Sequence, residues 1–133
     1  MLRKLLVVHG LITLAAALVL CVAPGVIPRL IGIELDPHSY LVAYLLAGAE
    51  FGFAVLSFGA SRLTDPLALR YVVWSLVSFH AASAIVELYA YASVPRALLL
   101  LNVAARALIA LLLLYFAPAR ALKGPAPAPG APQ

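Results

Sequence analysis

The sequence predicts an all-α integral membrane protein, a bundle of four spanning helices with a short interfacial segment between the first and second. Three observations carry that prediction. Of 133 residues, 65% are hydrophobic and only 11% charged, with a mean hydropathy of +1.09; a soluble domain of this length could not hide so much apolar surface. The apolar residues fall into four runs of about 20, and at roughly 1.5 Å rise per residue each is long enough to cross a hydrocarbon core of about 30 Å. Finally, three of the runs carry an ionisable residue near the middle: Glu50, then His80 with Glu87 further along, then Arg106.

The first run, Leu5 to Val22, follows Arg3 and Lys4, and its helix is expected over about residues 3–22. A charged start before an apolar stretch also fits a secretory signal peptide. The run is longer than a usual signal core, however, and Pro24 directly follows the small-residue site Cys21-Val22-Ala23, so the segment is expected to stay as a helix. Residues 24–39 contain three prolines, two glycines and the charges Arg29, Glu34 and Asp36, which ends the span. Within them Val26-Ile27-Pro28-Arg29-Leu30-Ile31 reads as a short interfacial helix started by Pro28.

Asp36-Pro37 and Asp65-Pro66 each offer an N-cap followed by proline at the first helical position. They open the second and third spans, residues 37–61 and 66–92. Ser93-Val94-Pro95 breaks the chain again, and the fourth span covers 95–117. Residues 1–117 thus form the transmembrane domain. Residues 118–133, rich in alternating proline and alanine, are expected to be a disordered cytoplasmic tail.

The net charge of +4 does not imply a nucleic-acid partner, because the basic residues flank apolar runs instead of forming a polar face. They read as orientation signals. Arg3, Lys4, Arg62, Arg70, Arg120 and Lys123 share one side of the bundle, against Arg29 and Arg96 on the other. That bias places both termini in the cytoplasm and the protein in the cell (inner) membrane. The single cysteine, Cys21, excludes an internal disulfide or a CxxC redox pair. No HExxH, GxSxG, Walker loop or dinucleotide fingerprint is present, and no metal site is expected.

The midpoints of the second, third and fourth spans fall near residues 50, 80 and 106, which puts Glu50, His80 and Arg106 at one depth. Glu87 and Asn102 then form a second polar layer about 6 to 10 Å nearer the outer face. Angular position agrees: His80, Ser83, Ala84 and Glu87 follow one helix face, and Asn102 and Arg106 are an i, i+4 pair. A charged residue at a helix centre costs roughly 2.5 to 3.5 kcal/mol to insert, so these groups are expected to meet one another. Arg106 needs Glu50 or Glu87 as its counter-ion.

Around the second span, Ala43, Ala47, Glu50, Ala54, Ser57 and Ser61 make one small-residue seam. Gly48 and Gly52 form a GxxxG on nearly the opposite side, which predicts close approach of two neighbours. His9 and Thr13 pair at i, i+4 in the first span, but His9 counts to a shallower, cytoplasmic depth than the main cluster. For the same reason a haem held by His9 and His80 is disfavoured.

The order of an Arg-Lys start, an apolar helix, Ala-Pro-Gly, then Pro-Arg-Leu-Ile-Gly, Asp-Pro, and three further helices with His-Ala in the third resembles the small four-helix bacterial membrane proteins grouped as DoxX-like. The likeness is one of layout over most of residues 1–117. It implies a link to quinone-associated redox complexes and assigns no site residue. Three functional readings follow for the cluster Glu50, His80, Glu87, Asn102 and Arg106. It binds the polar head of a small lipophilic ligand, a quinone or a lipid, or relays protons; or it registers helices in an accessory subunit of a larger membrane complex or a homo-oligomer; or it serves a membrane-embedded isomerase-like enzyme.

Overall fold

The computed structural model describes residues 1–117, which hold helices and connecting turns but no strand. In chain order the helices are α1 (Leu2–Val22), α2 (Val26–Leu30), α3 (Tyr40–Ala60), α4 (Pro66–Ser93) and α5 (Ala97–Phe116), with a 3-10 turn at Pro37–Ser39 leading into α3. Four segments are long and apolar enough to cross a membrane: α1, α3 with its leading turn, α4 and α5. The protein is thus an all-α four-helix arrangement compatible with a multi-pass membrane protein. Residues 118–133, where the sequence suggests a tail, lie outside the described residues.

Both Asp-Pro starts work as the sequence suggests. The Asp65 carboxylate accepts the Leu67 amide at 2.9 Å and opens α4. Asp36 accepts the amides of His38 at 2.8 Å and Ser39 at 3.2 Å, and the Ser39 hydroxyl donates to its second oxygen at 3.0 Å. The Ser39 hydroxyl and the His38 amide hold the Asp36 carboxyl below the usual carboxylate range. The short helix α2 begins at Val26, two residues before the Pro28 that the sequence makes its first. Proline is tolerated there because amides in a first helical turn have no intrahelical acceptor to lose. The chain leaves α2 through Gly32 at φ 76°, and a Cβ on Gly32 would stand 3.0 Å from Arg96 Nε. The backbone conformation favours glycine at that position, whereas the flexible Arg96 side chain can move aside.

The bundle is built from two helix pairs, α1 against α3 and α4 against α5. Small residues bring the first pair together. Ala43, Ala47, Ala54 and Ser57 of α3 are buried, and a Cβ on Gly10 of α1 would come within 2.8 Å of the Phe58 ring. The pairs join at one end through a single cluster: Leu2 and Leu6 of α1, Ala60 of α3, Val73, Leu76 and Val77 of α4, and Leu113 and Ala117 at the end of α5. At the other end a smaller cluster of Leu20, Ala43 and Ala47, with Ile27 and Leu35 against it, contains no residue of α4 or α5.

One packing expectation is corrected. Gly48 and Gly52 are exposed, and a Cβ at either would meet nothing within 4 Å. Their face of α3 is turned outward, and the close approach is made on the alanine and serine seam alone.

Candidate functional site

Between the two helix pairs lies a cavity of about 310 Å³. Its polar lining is Glu50 from α3, His9 and Thr13 from α1, His80 from α4, and Asn102 and Arg106 from α5; Ile12, Leu20, Ile27, Leu46 and Ile109 supply the apolar wall. All five ionisable or polar residues singled out from the sequence are in this region, but they divide into two hydrogen-bonded groups and one residue by itself.

The first group joins α4 to α5. Arg106 donates through Nε to Glu87 Oε1 at 2.7 Å, and Asn102 donates to the same oxygen at 2.9 Å. Glu87, not Glu50, is the counter-ion, although residue counting puts Glu50 at the arginine's depth. The long guanidinium arm reaches toward the outer layer, where Asn102 adds a second donor to the acid. Phe79, one residue before His80, stacks beneath the guanidinium. Its ring centroid lies 5.5 Å from the guanidinium carbon and 4.1 Å from the Phe53 ring, which adds a cation–π contact to the ion pair. Glu87 Oε2 is buried without a partner among the described residues.

The second group joins α1, α3 and α4, and it corrects the reading of His9. His9 Nε2 lies 2.9 Å from His80 Nε2, and His9 Nδ1 lies 2.8 Å from Ser57 Oγ. The two rings meet nearly edge-on, with an interplanar angle of 86°. Thr13 supports the helix turn beside them by donating to the His9 carbonyl at 3.1 Å. Counting from span midpoints misplaces His9 because α1 and α4 are not aligned at their midpoints: His9 lies before the middle of α1, His80 near the middle of α4, and the two rings meet. The shared cluster sets the register instead. Leu6 packs with Leu76 and Val77, and about one turn further along both helices come His9 and His80.

The hydrogen-bond chain also fixes the ring tautomers. His80 Nδ1 is buried with no partner, and a bare lone pair is cheaper there than an orphaned N–H. His80 Nε2–H therefore donates to His9 Nε2, and His9 Nδ1–H donates to Ser57 Oγ. Two neutral imidazoles satisfy this chain. The depth argument against a haem no longer holds, since the two Nε2 atoms lie 2.9 Å apart. Among the described residues no three His, Cys, Asp or Glu side chains gather to hold a metal.

Glu50 completes the site. It is 8% exposed, lines the cavity and has no hydrogen-bond partner among the described residues, although the Arg106 charge acts on it. Arg106 uses only Nε, so its Nη groups have no hydrogen-bond partner among the described residues either. The cavity thus presents an acceptor from α3 and donors from α5 across a gap that protein groups do not close. The signal for His9 and Ser57 was in the sequence, since each lies on a stripe of small or polar residues; what was lacking was the register between α1 and α4.

No family model matches this chain, and comparison with curated proteins and with solved structures found no significant match.

Proposed function

We propose that this protein binds the polar head of a small lipophilic ligand within the membrane, a quinone or a lipid, in the cavity between its helix pairs. One observation carries the reading: Glu50 is buried at the cavity wall with no hydrogen-bond partner among the described residues, opposite an arginine that has donors to spare. A salt bridge that only registers helices is already complete in Arg106, Glu87 and Asn102, and it gives Glu50 nothing to do. Intramembrane acids without a structural partner are costly, and they commonly mark a ligand site or a proton path. The DoxX-like layout is in keeping with a quinone. The excess of Lys and Arg flanking the packed end supports a cell-membrane protein with that end in the cytoplasm.

Mass spectrometry of protein extracted in mild detergent tests the proposal. A stoichiometric lipophilic species is expected with the native protein and should be lost from Glu50→Gln at unchanged thermal stability. Its absence from native protein, or its retention by the variant, would overturn the reading.

An accessory-subunit role has one observation in its favour, the outward Gly48 and Gly52 face of α3, which no helix among the described residues covers. Bulky substitutions there should release a partner protein without changing the bound species.

A further inference from the structure

The cavity is small. Ligand sites commonly range over about 300–1,000 Å³, so a space of about 310 Å³ accommodates a head group and leaves an attached chain to run elsewhere. A second hollow of about 290 Å³ shows where. It lies between α2 and α5, is lined by Leu30, Ile31, Leu98 and Leu101, and shares Ile27, Asn102 and Ala105 with the cavity. Leu30, Leu98 and Leu101 are themselves largely exposed, so the hollow opens onto an apolar surface of the bundle. At about 30 Å³ for each small group, it has room for roughly ten methylene-sized units, in keeping with a segment of one chain.

The head that fits can be read from the unsatisfied groups. The His9 and His80 Nε2 atoms are occupied by each other, His9 Nδ1 by Ser57, and His80 Nδ1 is sealed from the cavity. The histidines therefore offer an occupant carbon edges only. What remains is the Glu50 carboxylate and the Asn102 amide oxygen as acceptors and the Arg106 guanidinium as donor. With Glu87 already neutralising Arg106, an added anion would face Glu50 with no spare positive charge. A neutral head with both a hydroxyl and an acceptor oxygen answers these groups.

Resting on the cavity reading above, we propose that the ligand is a neutral, single-chain amphiphile that arrives laterally from the bilayer between α2 and α5, with Ala105 and Ile27 as the threshold across which its chain lies.

The test uses the full chain in phosphatidylcholine vesicles with a monoacylglycerol that carries a diazirine in its acyl chain. After irradiation, adducts are expected on Leu30, Ile31, Leu98 and Leu101. Ala105→Trp, which fills the threshold, should cut capture at least tenfold, whereas Leu108→Trp on the outer face of α5 should not. A diacylglycerol with the same photoreactive chain, and a single-chain phosphate ester, should each label these positions at least tenfold more weakly. Capture that survives in Ala105→Trp but falls in Glu50→Gln would overturn the lateral path and leave the head site standing. Capture that neither variant changes, or adducts spread evenly over outward residues such as Leu41 and Leu45, would overturn both. Equal labelling by the two-chain or anionic probe would overturn the ligand class.

Discussion

At the end where α1 begins, all four spanning helices contribute to one buried cluster, with Leu6, Val73, Leu76 and Leu113 fully shielded. At the opposite end α1 and α3 hold α2 and the loop, while α4 and α5 hold mainly each other through Glu87, Asn102 and Arg106. The contrast separates two tasks within the same bundle. In lipid, helix association rests on close packing and not on exclusion of water, so an end filled with interlocking leucines is the end that fixes the fold. The end left unfilled is where polar groups can face an occupant. The histidine chain stands at the boundary, one helical turn beyond the leucines.

Substitutions can break or sharpen this division. Removing one member of the ion pair should have the largest effect: Arg106→Gln leaves the partly buried Glu87 uncompensated and should cost about 3 kcal/mol in detergent unfolding, the low end for a buried pair, much of it recovered in the Arg106→Gln, Glu87→Gln double variant. A single variant as stable as the native protein would show that the pair contributes little to holding α4 against α5. Next, Leu76→Ala in the packed cluster should cost about 2–5 kcal/mol, whereas Leu101→Ala at the open end should stay within about 0.5 kcal/mol of native. Equal losses at the two positions would dissolve the distinction between the ends. Gly10→Ala should cost about 1–3 kcal/mol, since the new methyl meets the Phe58 ring and forces α1 from α3.

The smallest effect concerns Asp36 at the open end. Its carboxyl titrates below the ordinary range, so the cap is intact at neutral pH and is lost as pH falls through that lowered value. Amide exchange at His38 and Ser39 should accelerate over that acidic window while amides of the leucine cluster stay protected. Acceleration in both regions together would mean that the two ends do not open independently.

Much of this was written in the sequence. Proline, the Asp-Pro caps and the apolar run lengths fixed where helices start and stop, because those signals are local. Glu50, His80 and Arg106, which the depth argument put at one level, all line one cavity, with Asn102 also at its wall and Glu87 bonded to Asn102 and Arg106. Two features were not local and were misread. The meeting of His9 with His80 depends on how α1 and α4 slide past each other, which the leucine cluster decides and span midpoints do not. The outward position of Gly48 and Gly52 depends on how many neighbours α3 has, and a small-residue pattern shows only that a neighbour could come close, not that one does. The pairing of Arg106 with Glu87 had a subtler cause. Counting residues locates a Cα, while an arginine's guanidinium stands several bonds away from it.

Joining the helix pairs at one end gives the molecule a lever. If α4 and α5 tilt as a rigid unit about the leucine contact, the arc they sweep grows with distance from that pivot. Leu101 lies about 18 Å along the α5 axis from Leu113, at roughly 1.5 Å per residue. A rotation too small to unseat the leucines would therefore move the α5 wall of the mouth between α2 and α5 much farther than it moves the cluster itself.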